Sequence, residues 1–366
     1  MANIILFLAI LLTGLHLVTC LIVMWRLRRP APRVAARPFI TLLRPVCGQD
    51  RFDAETLASS FAIDWPAYEV IFCAAHADDP AVPLVRDLIA GHRHVPARLL
   101  IGDDRPTGNP KLNNLVKGWA LAKGDRIVMA DANLMLPRDY FDRLIAVEGA
   151  DTGLVSSPAI GTAPEGLWGA LECAFLNGNQ ARLQLCADEI GQGFAQGKTL
   201  MWQRPVLERA GGLSALGRSM AEDVASTKAV RGLGLRVRLS HAPFAQPVGR
   251  RSLHAVWSRQ VRWSKVRRDG FPGLFLLEPL NGAALPVLMA TAALGPWAGL
   301  AVGAVYFGSE WTLCRLAGWP AGRFSVAAMI LRDALMPFVW LATFSSRKVE
   351  WRGNAVSAVS PAVAAE

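Results

Sequence analysis

The chain has 366 residues and a net charge of +10, and 52% of its residues are hydrophobic. The hydrophobic excess is concentrated at the two ends, and the six cysteines are scattered without a CxxC pair, which argues against a disulfide framework or a zinc site. The basic charge is compatible with nucleic acid, anionic lipid or phosphorylated substrates. Because the arginines cluster beside apolar segments, lipid headgroups and phosphates are favoured.

The N-terminal segment 1–25 predicts a transmembrane anchor. It contains no charged side chain, only a neutral His16, and it is long enough to cross a bilayer as a helix. Arg26, Arg28 and Arg29 follow at once, so the C-terminal side of the anchor is predicted to face the cytoplasm. A cleaved signal peptide would carry positive charge before the apolar run and a small-residue cleavage site after it, and neither is present.

Residues 26–248 have the pattern of an α/β domain. Apolar runs of strand length alternate with helix-length segments such as 80–92 and 112–123. The strand-length runs are 39–43, 70–74, 98–101 and 127–130. This alternation predicts a mostly parallel sheet, in which ligands bind at the carboxyl ends of the strands. A largely apolar helix is predicted at 166–191, followed by a strand or turn at 196–198.

Polar residues follow three of the predicted strands. They are Asp78 with Asp79, the segment Asn109-Pro110-Lys111 with Asn113-Asn114, and Asp131. Each has an ordinary explanation, since the acids could form turns and Lys111 could be solvated. Their shared location at one sheet edge instead favours a nucleotide site, where a carboxylate could hold a divalent cation that bridges phosphates. The chain has no GxxxxGK[ST] loop and no GxGxxG after a strand, so ATP hydrolysis and NAD chemistry are disfavoured.

An acidic pair, Glu222-Asp223, precedes a predicted helix at 224–231. A carboxylate there could take a proton from an acceptor hydroxyl. The alternative is that the pair only caps the helix.

Residues 249–278 predict an interfacial amphipathic segment. Seven basic residues and no acidic one lie between positions 249 and 268, interleaved with tryptophans. Arg259, Arg262 and Trp263 share one face of a helix, and two guanidinium groups there could hold diphosphate oxygens. The alternative is a membrane contact only. Nucleic acid is disfavoured as a partner because the basic cluster adjoins apolar segments.

Residues 279–346 predict a C-terminal transmembrane region of two or three helices. No charge appears between Glu278 and Glu310, which suits one tilted helix or a hairpin broken near Gly295. In the weaker segment 324–344, Arg332-Asp333 is either a pair facing the bundle or the mark of a shorter span. Residues 347–366 predict a flexible tail.

As a set, these motifs resemble the D, D, D, (Q/R)xxRW pattern of the ceramide glucosyltransferases, glycosyltransferase family 21, in a bacterial-type member. The resemblance covers roughly residues 38–280 and rests on Asp78-Asp79, Asn109-Pro110-Lys111-Leu112-Asn113-Asn114, Asp131, Glu222-Asp223 and Arg259-x-x-Arg262-Trp263. It implies a GT-A fold, a UDP-sugar donor and an inverting displacement. Asp131-Ala132-Asn133 departs from the pattern because it lacks the second carboxylate of a DxD motif.

The resemblance also implies roles for individual residues. Asp79, with Asp78 as the alternative, would contact the uridine end of the donor, and Asp223 would be the base that activates the lipid hydroxyl. Asp131 would hold the diphosphate through Mg²⁺ or Mn²⁺. Further donor contacts would come from Lys111 and Asn113, and the diphosphate and acceptor site would be lined by Arg259, Gln260, Arg262 and Trp263.

The sequence therefore predicts a membrane-bound transferase that moves a hexose from a UDP-sugar to the primary hydroxyl of ceramide, with glucose as the favoured hexose. Diacylglycerol or a hopanoid is the alternative acceptor. A non-enzymatic protein that binds anionic lipid is a remote alternative, because it would have no use for Asp131 or Asp223. A processive polysaccharide synthase would need more membrane helices. The predicted location is the bacterial inner membrane, with the catalytic domain facing the cytoplasm.

Overall fold

The computed structural model describes residues 2–34, 36–219 and 221–345, together with the backbone of 349–351 and 354–356. The chain divides into two compact units. The first, here called the helical unit, comprises Met1–Arg29, Ile160–Glu189 and Val248–Arg347. The second, the sheet unit, comprises Pro30–Ala159, Ile190–Pro247 and Lys348–Glu366. Apart from the two short strands, the predicted flexible tail lies outside the described residues.

The strands of the described chain, in order, are β1 Ile40–Val46, β2 Tyr68–Ala74, β3 Ala97–Ile101, β4 Arg126–Ala130, β5 Thr152–Ser156, β6 Ala159–Glu165, β7 Thr199–Gln203, β8 Arg236–Leu239, β9 Phe244–Arg250, β10 Val349–Trp351 and β11 Asn354–Val356. The central sheet has the order β3-β2-β1-β4-β7-β5-β8, and β6 with β9 and β10 with β11 form two-stranded sheets. Strand β7 runs antiparallel to β4 and β5, and the other pairs of the central sheet are parallel. The predicted mostly parallel α/β sheet is confirmed.

The helices of the described chain are α1 Ala2–Arg28, α2 Asp53–Ala58, α3 Ala81–Gly91, α4 Pro110–Leu121, α5 Tyr140–Ile145, α6 Gly166–Ala174, α7 Arg182–Glu189, α8 Arg204–Arg209, α9 Gly212–Leu216, α10 Glu222–Gly232, α11 Leu253–Gly270, α12 Pro272–Leu276, α13 Ala284–Leu294, α14 Pro296–Leu316 and α15 Ser325–Ala342. Short 3₁₀ helices span Ser59–Phe61 and Glu278–Leu280, and a π-helix spans Phe175–Ala181. The predicted long helix at 166–191 is therefore α6, the π-helix and α7 in succession.

The central strands are buried on both faces, which explains their continuous apolar sequences. All seven residues of β2 are buried, and six of the seven in β1. Because side chains alternate along a strand, each strand contributes to both cores. One core contains Leu42, Val70 and Val128 among its members, and the other contains Leu43, Ile71 and Ile127.

In the helical unit, α1 and α15 are the helices among the described residues that are long and apolar enough to cross a membrane. The uncharged stretch after Glu278 forms two helices, because α13 ends before Gly295 and α14 begins after it. Gly295 has a φ of 91°, a backbone conformation that a residue with a side chain rarely adopts.

Three charged residues of α14 and α15 face the interior of the helical unit. The Arg332 guanidinium donates to both carboxylate oxygens of Glu310, at 2.5 and 2.9 Å, and to Asp333 Oδ1 at 2.7 Å. All three side chains are buried. Asp333 Oδ2 also accepts from the backbone amide of Ala283 at 2.7 Å, at the start of α13. The Arg332-Asp333 pair therefore ties α13, α14 and α15 together rather than marking a short span.

Candidate active site

The site in the sheet unit is built around Asp131, the residue that follows β4. Its carboxylate lies 2.7 Å from Lys111 Nζ and 3.0 Å from Lys198 Nζ, one ammonium group on each oxygen. Burial acts to raise the pKa of Asp131, but the two lysines outweigh it and hold the pKa well below its usual range. Asp131 is therefore a stable anion at the carboxyl edge of the sheet.

Lys111 links Asp131 to the acidic pair at the start of α10. Its ammonium group also lies 2.7 Å from Glu222 Oε1 and donates to the carbonyl of Gly197 at 2.5 Å. Burial acts to lower the pKa of Lys111, but Asp131 and Glu222 outweigh it, so the pKa is raised and the side chain stays charged. Asn109 Nδ2 donates to Glu222 Oε2 at 3.1 Å and so holds the other oxygen.

The first turn of α4 presents Lys111 to this cluster. Asn109 caps the helix, because its Oδ1 accepts from the amides of Lys111 at 3.0 Å and Leu112 at 3.2 Å. Pro110 occupies the first helical turn, where its missing N–H costs no hydrogen bond.

Asp223 is held by the turn that contains Gly197. Its Oδ2 accepts from the amide of Gly197 at 3.0 Å, and its Oδ1 accepts from the amide of Val224 at 2.8 Å. The N-cap position of α10 is Ala221, so Asp223 is not the capping residue. Burial and the neighbouring charge of Glu222 raise the pKa of Asp223 to about 6. The carboxylate is thus ionised at neutral pH and more basic than an ordinary Asp.

The predicted donor residues Asp78, Asp79 and Asn113 also lie in the sheet unit. Asp79 accepts from the amide of Gly48 at 3.0 Å through each oxygen and fixes the loop after β1, while Asp78 is exposed. Asn113 is buried, and both ends of its side-chain amide are hydrogen-bonded to Thr107. Its Oδ1 accepts from Thr107 Oγ1 at 2.7 Å, and its Nδ2 donates to Thr107 O at 2.9 Å. Asn113 therefore shapes the loop that leads into Asn109.

The predicted RxxRW residues lie on α11 in the helical unit. Arg259 Nη1 lies 2.5 Å from Oε1 of Glu172, a buried carboxylate on α6, and the Arg259 guanidinium lies 5.8 Å from the Trp263 ring centroid. Trp263 packs against a small apolar cluster that includes Leu176. Gln260 is 2% exposed, and Arg262 is half-buried. The structure thus brings Arg259 and Trp263 into contact on one face of the helix.

A sequence model described as glycosyl transferase family 21 matches residues 5–361. The chain belongs to glycosyl transferase family 21. It is similar to ceramide glucosyltransferase 1 of Caenorhabditis elegans, with 23% identity over 353 residues that cover 93% of this chain and 76% of the relative. It is also 38% identical over 99 residues to the ceramide glucosyltransferase of Komagataella phaffii, covering 26% of this chain and 19% of that protein.

Among solved structures, the chain is similar to the mannosyltransferase PcManGT from Pyrobaculum calidifontis in complex with GDP-Man and Mn²⁺. The TM-score is 0.51 at 20% sequence identity, and the similarity covers 93% of this chain and 97% of that one. The family 21 chain therefore has the predicted GT-A fold and is a glycosyltransferase. The alternative of a non-enzymatic lipid-binding protein is wrong.

The sequence alone assigns no role to Lys198 or Glu172, and none to Glu222 apart from its place in the acidic pair with Asp223. Glu222 pairs with Lys111 and raises the pKa of Asp223, Lys198 pairs with Asp131, and Glu172 pairs with Arg259. The sequence did hold a signal for Glu172, because it is the single acid in the apolar run 166–181 and a buried acid needs a partner. Lys198 had none, since a lysine beside a glycine in a turn is ordinarily a solvated residue.

The side chains around Asp131 suit a metal cation only if a bound substrate supplies further ligands. Among the residues that the structure describes, no three His, Cys, Asp or Glu side chains are grouped so as to hold a metal ion. Both oxygens of Asp131 face ammonium groups, and the neighbouring Asn133 Oδ1 accepts from Lys198 Nζ at 3.1 Å. A cation with one carboxylate ligand fits Mg²⁺-type sites in which substrate phosphates supply further ligands.

Proposed function

We propose that this enzyme transfers glucose from UDP-glucose to the primary hydroxyl of ceramide, with inversion at the anomeric carbon, to give a glycosphingolipid. The observation that carries the proposal is the half-buried Asp223 carboxylate, which shares one cluster with Lys111 and Asp131 at the carboxyl edge of the sheet. Support for the lipid acceptor comes from the family match and from relatives named ceramide glucosyltransferase.

Asp223 is the proposed general base. With a pKa of about 6 it is ionised at neutral pH, so it can accept the proton of the lipid hydroxyl. The hydroxyl oxygen then forms a bond to the anomeric carbon while the bond to UDP breaks on the opposite face. The electron pair of that bond leaves on the diphosphate, and the reaction occurs in one step.

Positively charged side chains are proposed to stabilise the negative charge that develops on the diphosphate. Lys111 is fixed by Asp131 and Glu222, so its ammonium group is oriented before the donor binds. By the family resemblance, Arg259, Gln260, Arg262 and Trp263 contact the diphosphate or the acceptor, Asp79 or Asp78 contacts the uridine end, and Asn113 contacts the donor.

Asp131 is the proposed ligand of a divalent cation, Mg²⁺ or Mn²⁺, that arrives with the donor. When bound, such a cation neutralises phosphate charge and stabilises the leaving group. The family 21 enzyme resembles in fold a mannosyltransferase solved with GDP-Man and Mn²⁺, which supports a nucleotide-sugar donor and a divalent cation in general terms.

The enzyme is proposed to be an integral protein of the bacterial inner membrane, with the sheet unit facing the cytoplasm. The apolar helices α1 and α15 support membrane association. The orientation rests on the arginines that follow the apolar part of α1, because basic residues are enriched on the cytoplasmic side.

Incubation of membranes containing the protein with labelled UDP-sugars and a lipid panel tests the whole proposal. We expect labelled glucosylceramide, identified by mass spectrometry, with the β-linkage that inversion of an α-linked donor produces. If diacylglycerol or a hopanoid carries the label instead, the proposed chemistry stands and that lipid replaces ceramide as the acceptor. Absence of any labelled glycolipid, with membranes from an Asp223→Asn variant as the blank, would contradict the proposal.

A further inference from the structure

The helical unit contains a small cavity that is lined by side chains of α11, the π-helix and α15. Phe175, Met336 and Trp340 contribute to its apolar wall. The Trp340 ring stacks on Phe275 with 5.6 Å between the ring centroids, and Trp340 Nε1 donates to the carbonyl of Phe275 at 3.0 Å, so this wall is held in place. The cavity has a volume of about 20 Å³, which admits one small group of a ligand and not a whole headgroup.

Gln260 on α11 adds an unsatisfied hydrogen-bond donor to the lining of this cavity. Its side chain is 2% exposed, and its Nε2 has no hydrogen-bond partner among the residues that the structure describes. A buried amide nitrogen without a partner destabilises the folded chain, because it has lost water and gained no acceptor. A ligand oxygen in the cavity would supply the missing acceptor.

The charged groups of the lining neutralise each other. The Arg267 guanidinium donates to the two carboxylate oxygens of Glu278, at 2.5 and 3.1 Å. Two further polar residues of the lining each make a side-chain hydrogen bond, Ser264 with Thr343 at 3.0 Å and Asn179 with Asn281 at 2.6 Å. The cavity therefore suits a neutral polar group, since the charge of a phosphate headgroup would have no counter-ion left in the lining.

A secondary amide is the neutral group that matches Gln260 best. A glutamine side chain offers a donor and an acceptor, and a secondary amide offers the complementary acceptor and donor, whereas an ester offers acceptors only. The surroundings suit the chains of a lipid, because Leu274, Leu276 and Leu277, which shortly precede Glu278 along the chain, are each more than half exposed.

We propose that this cavity binds the N-acyl amide of the lipid acceptor and that Gln260 is its hydrogen-bonding partner. Gln260 thereby favours an amide-linked lipid such as ceramide over an ester-linked one such as diacylglycerol. The inference rests on the proposed function, because it names the part of the acceptor that the helical unit recognises.

Binding of three lipids to the purified full-length protein in detergent, measured by calorimetry, tests this role. The lipids are a short-chain ceramide, its N-methylated analogue and a diacylglycerol of matched chain length. We expect the wild type to bind ceramide about tenfold more tightly than either other lipid, because only ceramide offers both the carbonyl and the N–H. Gln260→Met keeps the approximate size of the side chain and removes the amide, so it should bind ceramide about tenfold more weakly and diacylglycerol about as well as before.

Ser258→Ala is the matched control, because Ser258 is an exposed polar residue on the same helix, and it should keep the wild-type preference. The inference is overturned if the wild type binds ceramide and diacylglycerol equally, a comparison that needs no variant. It is also overturned if Gln260→Met keeps the preference for ceramide or weakens both lipids to the same degree. Formation of glucosylceramide by the wild type in such a case would leave the proposed function standing. A wild type that neither binds nor glucosylates ceramide would instead reject the proposed acceptor and the inference with it.

Discussion

Asp223 is the residue on which the proposed chemistry depends most directly. Its carboxylate is half-buried, accepts from two backbone amides and does not cap α10. Asp223→Asn removes the base but keeps the size of the side chain. We therefore expect UDP binding to change little and turnover to fall by about 10²–10⁴, the usual contribution of acid–base catalysis. Single-turnover assays with UDP-glucose and ceramide measure the fall, and wild-type turnover in the variant would reject Asp223 as the base.

Glu222 should set the pH dependence of the same step. Because burial and Glu222 raise the pKa of Asp223 to about 6, kcat/KM should fall as the pH drops through about 6, where the base becomes protonated. Glu222→Gln removes one negative neighbour, so the pKa of Asp223 should decrease and the acid limb should move to lower pH. The exposed Glu208 offers the control: Glu208→Gln should leave the profile in place. An acid limb that Glu222→Gln does not move would show that another group controls it.

The cation at Asp131 should depend on the donor. Asp131 is the proposed ligand of the metal, but in the structure its carboxylate pairs with Lys111 and Lys198. Chelator should therefore abolish transfer, and Mg²⁺ or Mn²⁺ should restore it. Metal binding measured by calorimetry should be weak in the absence of UDP and stronger in its presence. Full activity in excess chelator would mean that the cationic side chains carry the phosphate charge unaided.

At the scale of single elements, α11 combines two possible tasks, membrane contact and phosphate binding. A membrane contact needs only positive charge, worth about 1 kcal/mol per residue near anionic lipid. Phosphate binding needs the planar guanidinium fork, which lysine lacks. We expect Arg262→Lys to remain in membranes and to lose transfer activity by about tenfold or more, since one charge-assisted bond of a bidentate pair is lost.

Arg250→Lys is the control for that experiment, because Arg250 is exposed and lies just before α11. It should be nearly silent in both sedimentation with membranes and transfer. If Arg262→Lys is as silent as Arg250→Lys, then the basic face of α11 is a membrane contact and its arginines have no role in transfer.

The elements differ in how far the sequence predicted them. Strands β1, β2 and β4 were predicted because a strand covered on both faces reads as a continuous apolar run, and the half-buried edge strand β3 was predicted from the short run at 98–101. The antiparallel direction of β7 and the π-helix at 175–181 were not, because both depend on packing between distant segments. The same limit applies to the site. Asp131 and Lys111 were expected at strand ends, but the Lys111–Gly197 contact joins positions 86 residues apart, which no local pattern reveals.

At the scale of the whole molecule, α1 is more than a tether. It was predicted as an anchor from its apolar sequence, yet Arg26 at its end is 3% exposed and pairs with Asp188 at 2.8 Å and Glu189 at 2.7 Å, both on α7. In the same unit, the Arg182 guanidinium donates to Thr19 on α1. The helix is thus packed into the helical unit through polar contacts as well as apolar ones.

Two arginine substitutions separate anchoring from packing. Arg26→Leu and Arg28→Leu each remove one positive charge after the apolar segment, so their effects on membrane orientation should be the same. Arg28 is exposed, whereas Arg26→Leu removes the buried cation that Asp188 and Glu189 share, although Glu189 keeps its pair with the partly exposed Arg29. Loss of one partner from a buried ion pair costs about 3–5 kcal/mol. Both variants should be recovered in membranes, but thermal unfolding in detergent should show a lower Tm for Arg26→Leu alone. Equal Tm values for the two variants would mean that α1 only tethers the chain and that folding of the helical unit does not depend on its contacts.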